Sequence, residues 1–109
     1  MPGSVQERII EVDDDNYESV ISDGLVLLDF WAEWCGPCKA MESVLEELVQ
    51  NNSELTLAKV DVDENETVLT EFGVQSLPTM YLFDDGQQVD EFAGQPAYVH
   101  LNRAVQSHS

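Results

Sequence analysis

Cys35 and Cys38 are the only cysteines in the chain, and Gly36 and Pro37 are all that separates them. Trp34 precedes the pair and Lys39 follows it. If the segment opens a helix, residues i and i+3 share a face with about 5–6 Å between Cβ atoms. That is close to the separation a disulfide permits, so small adjustments can join or release the sulfurs. Cys35 then sits at the helix N-terminus, where unsatisfied amides and the macrodipole favour an anion. A thiolate is such an anion, and the thiolate is the nucleophilic form of cysteine. Pro37 fixes φ and lacks a donor that the first turn would leave unpaired, which stiffens the turn between the sulfurs.

Three blander readings compete with a redox pair. A zinc site needs about four ligands, and only the distant His100 and His108 are available to join the cysteines within one chain. A static disulfide over so short a loop adds little stability and does not persist in a reducing compartment. Two inert core cysteines do not usually bracket Gly-Pro at a helix start. The redox pair is the favoured reading, and no metal is expected.

The elements that must position this pair can be read from periodicity. Leu25 to Trp31 is apolar on both faces, as a central strand covered on each side would be. Pro37 to Gln50 places Met41, Val44, Leu45, Leu48 and Val49 at three- and four-residue steps, an amphipathic helix. Leu55 to Asp61 reads as a further strand, and strand–helix–strand in this spacing is a parallel βαβ unit with a right-handed crossover. Upstream, Arg8 to Val12 reads as a short strand. Asp14 or Asp15 is placed to cap a short helix with Tyr17, Val20 and Ile21 inward. Downstream, Asn65 to Phe72 is a short helix closed by Gly73. Thr79–Phe83 and Gln87–Ala93 flank Asp84-Asp85-Gly86 as an antiparallel hairpin. Pro96 opens a last helix with Tyr98, Leu101 and Val105 inward. The sum is α/β: a mixed sheet of about five strands flanked by about four helices, in one domain spanning residues 1–109. Its first few residues read as a flexible extension.

Asp29 interrupts the apolar run of the central strand, and an unpaired buried carboxylate is strongly disfavoured. Two readings stand: a solvated carboxylate at the strand end, or a proton acceptor with a raised pKa close enough to Cys38 to deprotonate it directly or through water.

Composition bounds the partners. Twenty-two acids against four bases give a net charge of −18, while the apolar fraction of 43% is ordinary for a folded domain. Such a surface repels nucleic acid and anionic headgroups, so neither nucleic acid nor membrane is an expected partner. No apolar run approaches the ~20 residues of a spanning helix. The N-terminal residues lack the basic and apolar regions of a secretory signal, so the expected location is the cytoplasm.

Read together, LLDFWAEWCGPCK, AKVDVDEN, FGVQSLPTMYLFDDG and FAGQ resemble the thioredoxin family over nearly the whole chain. The resemblance implies the thioredoxin fold and a protein-disulfide reductase, a thiol-disulfide oxidoreductase that carries electrons without a cofactor beyond its cysteine pair. In that scheme Cys35 is the exposed nucleophile and Cys38 the more buried resolving thiol. Asp29 is the proton acceptor and Lys59 its partner. Pro78 is a cis-proline facing the cysteines, and Leu77 offers backbone hydrogen bonds to an extended target. Trp34, Gly36, Pro37, Gly73, Val74 and Gly94 complete the docking surface. The implied partners are a thioredoxin reductase and disulfide-containing proteins, with the chain a monomer. A disulfide oxidase or isomerase on the same fold, and a non-catalytic binding subunit, are the alternatives.

Some features fall outside that pattern. Ser43 stands where many members have a proline, so a straighter helix is expected. The composition, rich in Asp and Glu and nearly free of Lys, resembles cytoplasmic proteins of salt-accumulating halophiles; an acidic chain matched to a basic partner is the other reading. Asp61 to Asn65 begins like a calcium loop, but Glu66 replaces the required glycine and Phe72 the bidentate glutamate. Asp13 to Asp15 read as a solvated helix start. His100 and His108 read as surface residues.

Overall fold

The alternation of β2 (Leu25–Trp31) organises the molecule. Val26, Leu28 and Phe30 point to one side of the sheet, and Leu25, Leu27 and Asp29 to the other, so both faces must be covered. The structure, a computed structural model, describes residues 3–109. Five strands pair in the order β1-β3-β2-β4-β5, with β1 at Ile9–Glu11, β3 at Leu55–Asp61, β4 at Thr79–Asp84 and β5 at Gln87–Ala93. β1 and β2 run parallel to β3, whereas β4 is antiparallel to both β2 and β5.

The helices α2 (Gly36–Asn51) and α4 (Tyr98–Gln106) cover the face carrying Leu25 and Leu27, with Met41, Leu45, Leu48, Leu101 and Val105 in the shared core. On the opposite face α1 (Tyr17–Ile21) and α3 (Glu66–Phe72) close over Val26, Leu28 and Phe30. α2 runs without interruption through Ser43. At the β4–β5 hairpin both Asp85 (φ 49°) and Gly86 (φ 89°) are left-handed, the turn geometry that matches strand twist.

Two local expectations need correction. Pro96 precedes α4 rather than opening it: Ala97 is extended, with ψ at 146°, and the helix begins at Tyr98. Nor do Asp14 and Asp15 cap α1. Asp13 Oδ1 accepts from the amides of Asp15 and Asn16, at 2.9 Å each, and turns the chain into the helix. Asp14 instead reaches across to α3, its Oδ1 accepting from Val68 N at 2.8 Å. A carboxylate there satisfies an orphan amide and complements the helix dipole.

Of the expected N-terminal extension, Met1 and Pro2 lie outside the described residues. From Ser4 the chain is held by a reciprocal cap, Ser4 N to Glu7 Oε1 and Glu7 N to Ser4 Oγ. Arg8 follows. Its Nη1 lies 2.9 Å from Val49 O, 3.0 Å from Asn52 O and 3.0 Å from Leu55 O, and its Nε donates to Gly3 O at 2.8 Å. A cation there adds a second donor to the Val49 and Asn52 carbonyls at the C-terminal end of α2, where the helix dipole favours positive charge, and reaches on to β3 at Leu55.

Candidate functional site

The turn after β2 delivers Cys35 to the N-cap of α2. Its Sγ accepts the Cys38 amide at 3.1 Å, and its carbonyl accepts from Lys39 N at 3.3 Å. Gly36 and Pro37 form the exposed first turn. Cys35 and Cys38 are joined as a disulfide with their Cα atoms 5.3 Å apart. Ala32 packs against both, and Trp31, Val62 and Leu77 close around the cluster.

The expected contrast between an exposed Cys35 and a more buried Cys38 is absent in this disulfide form, where the two are 4% and 5% exposed. Bonded to each other and packed by the same neighbours, the sulfurs are covered together. What distinguishes them is the cap: only Cys35 Sγ receives a helix-terminal amide.

The strand register explains what surrounds the pair. Phe30 lies opposite Thr79 on β4, so Pro78 falls one step beyond the paired end of β2, beside the turn that leads to Cys35. The Leu77–Pro78 peptide is cis, and Pro78 O accepts from Gly94 N at 2.9 Å. Leu77 is half-buried against the cysteines. Val74 packs in the aromatic cluster of the opposite face, next to Gly73, the left-handed C-cap of α3 at φ 63°. Trp34 is 69% exposed, and its Nε1 donates to Asp63 Oδ2 at 2.9 Å, which orients the indole beside the disulfide turn.

Asp29 faces α2, and the register sets it in a polar row crossing the sheet: Glu11 on β1, Lys59 on β3, Asp29 on β2. It is 4% exposed, and its Oδ1 has no hydrogen-bond partner among the described residues. Burial pushes its carboxyl up to about 7; Lys59 opposes the rise, and Glu11 and Glu42 add to it. Lys59 Nζ lies over the Trp31 ring, 4.6 Å from its centroid, rather than in an ion pair with Asp29. A cavity of about 80 Å³ opens on this row, lined by Ile9, Asp29, Glu42, Leu45, Glu46, Leu57 and Lys59. Glu42 and Glu46 were not singled out from the sequence, although Glu42 stands four residues after Cys38 on α2, a spacing that places it on the same side of the helix.

Among the described residues no cluster of His, Cys, Asp and Glu is arranged to hold a metal, and no helix is long and apolar enough to cross a membrane. His100 is exposed on α4, and His108 Nδ1 lies 3.8 Å from Asp84 Oδ2, far along the chain from the cysteines. The arrangement suits thiol–disulfide exchange: a joined pair of sulfurs at a helix N-terminus, an exposed indole beside them and a buried carboxyl facing the same helix.

Comparison with known proteins agrees. The thioredoxin family profile matches residues 8–107. The chain is 43% identical over 95 residues to a thioredoxin of Chlamydia caviae, covering 87% of this chain and 93% of that protein. It is 41% identical over 101 residues to a thioredoxin of Bacillus subtilis, covering 92% and 97%. Among solved structures, a mutant thioredoxin from Halobacterium salinarum superposes with a TM-score of 0.86 at 36% identity, covering 97% of this chain and 95% of that one. The chain therefore belongs to the thioredoxin family, oxidoreductases of dithiol–disulfide exchange whose redox-active pair here is Cys35 and Cys38.

Proposed function

We propose that Cys35 and Cys38 divide the reductase reaction between them. The Cys35 thiolate attacks a disulfide of a target protein, forming a mixed disulfide and releasing one target thiolate. Cys38 then gives its proton to Asp29, and its thiolate attacks Cys35 Sγ. The second target sulfur leaves with its bonding pair, two electrons have passed to the target, and the chain is left as the Cys35–Cys38 disulfide. The observation that carries this assignment is the amide of Cys38 donated to Cys35 Sγ at the N-cap, because that position stabilises a thiolate and lowers its pKa. The family's chemistry needs no cofactor; the cysteine pair carries the electrons.

Targets dock around the disulfide turn, on Trp34, Gly36, Pro37, Gly73, Val74, Leu77, Pro78 and Gly94, with Lys59 steadying Asp29 from beneath. A thioredoxin reductase returns the electrons, and the chain works as a monomer in the cytoplasm, since a thiol reductant needs a reducing compartment. The acidic surface suits concentrated salt. Melting of the reduced protein should therefore keep rising from 0.1 to 4 M KCl, beyond the ~1 M at which simple screening is nearly complete.

The decisive experiment pairs two variants. Cys35→Ser abolishes reduction of insulin by a small dithiol, whereas Cys38→Ser still attacks and then stalls as a trapped mixed disulfide. Alkylation of the reduced protein labels Cys35 first. Faster labelling of Cys38 reverses the roles, and no acceleration of insulin reduction by the unaltered chain leaves a binding subunit.

A further inference from the structure

Resolution of a mixed disulfide creates a proton problem. A target docked around Cys35 covers the cysteines at the moment Cys38 must lose its proton. The cavity beside Asp29 lies elsewhere: of the proposed docking residues, none lines it. Its volume of about 80 Å³ exceeds the ~10–15 Å³ that one water requires, and Asp29, Glu42, Glu46 and Lys59 bring polar groups to its wall. Asp29 Oδ1, buried and unpartnered among the described residues, supplies the inner end. Glu42 and Glu46, both exposed on α2, stand at the outer end, and Lys59 flanks the space from β3. Cys38, Glu42 and Glu46 recur at four-residue steps on α2, so one strip of the helix carries the thiol and both carboxylates.

We infer that Glu42 is the outer station of a proton path, in which water in the cavity joins the free Asp29 oxygen to the Glu42 carboxylate and carries the Cys38 proton out beneath α2. The inference rests on the reading of Asp29 as proton acceptor. The Cys38 S–H bond breaks and Asp29 takes the proton. The electron pair left on sulfur forms the bond to Cys35 Sγ as the target sulfur departs with its own pair, to be protonated by solvent. Asp29 then passes its proton to cavity water, and Glu42 hands one on to bulk. Of the two carboxylates at the mouth, Glu42 is the one whose charge reaches Asp29. The other charges facing Asp29 are Lys59 from β3 and Glu11 from β1, while β4 presents the apolar Met80 in the same row. Glu42 is thus a positioning residue for the proton, acting through Asp29.

The test is single-turnover reduction of a disulfide peptide, followed by tryptophan fluorescence across neutral to alkaline pH at low buffer concentration. Glu42→Gln should slow the resolving step roughly 3- to 10-fold, short of the ~100-fold or more of a group that takes the proton directly, with melting and the alkylation rate of Cys35 unchanged. Added formate, small enough to enter the cavity, should restore the rate. Glu47→Gln removes the same charge from α2 at a position that does not line the cavity, and leaves the rate as it was. Resolution by Glu42→Gln at the rate of Glu47→Gln, or slowing that formate does not relieve, overturns the path. Asp29→Asn separates the two levels of the argument. If it resolves at the unaltered rate, the reading of Asp29 fails and the path with it; if it is slow while Glu42→Gln is normal, the path alone fails.

Discussion

The two faces of the sheet share strands and register but complete their cores differently. On the α1/α3 face Phe30, Phe72, Tyr81 and Phe83 form a ring cluster with centroids 5.0–5.9 Å apart. On the α2/α4 face the leucine row of β2 runs into Asp29, the polar row crosses the sheet, and a cavity remains. Residues 29 and 30 are neighbours in the chain and opposites in environment, because a strand sends them to different sides. Both faces bury an apolar core, and the α2/α4 face keeps a destabilising buried carboxyl within its own, beneath the redox helix.

The sharpest way to break this contrast is to hollow the aromatic face. Phe30→Ala should cost about 3–5 kcal/mol, measured by urea unfolding, and the loss should be the same at mildly acid and neutral pH, because the titrating ring of the cluster, Tyr81, is pushed by burial above its ordinary value of 10.0. Asp29→Asn should act in the opposite direction and only over a defined window. Burial pushes the Asp29 carboxyl up to about 7 in the folded chain from an ordinary value of 3.8. The folded state therefore holds the proton more tightly than the unfolded one, and its relative stability falls as pH rises from about 4 to about 7, then levels off. The variant should gain on the order of 2–4 kcal/mol above pH 8 and nothing near pH 3; equal stability at both would mean that the carboxyl is solvated. The smallest effect comes from Lys59→Met. It removes the one charge that favours ionised Asp29, so the carboxyl should titrate higher still, by roughly one unit, as followed by carbonyl NMR. A downward shift would sever Lys59 from the row.

Much of this contrast was legible in the sequence. The runs at Leu25–Trp31, Leu55–Asp61 and Gln87–Ala93 coincide with β2, β3 and β5, since apolar alternation and turn residues are local properties. Asp29 stood out because its surroundings in the chain were apolar. What could not be read depends on residues distant in the chain. Asp14 caps a helix 54 residues away, and Arg8 meets carbonyls 41 to 47 residues on. The cavity arises from where α2 lies over the sheet, so Glu42 acquires its place only once that helix is docked. The equal covering of Cys35 and Cys38 is likewise a tertiary outcome, decided by the neighbours that pack around the disulfide.

The guanidinium of Arg8 has a consequence in time as well as in energy. One side chain ties the N-terminal turn, the last turn of α2 and the first residue of β3, so these segments share a single opening event rather than fraying separately. Their amide protons should exchange with solvent as one cooperative unit. The helix that presents the cysteines is then held at its far end by Arg8 and along its length by Met41, Leu45 and Leu48, while Gly36 and Pro37 of its first turn stay exposed.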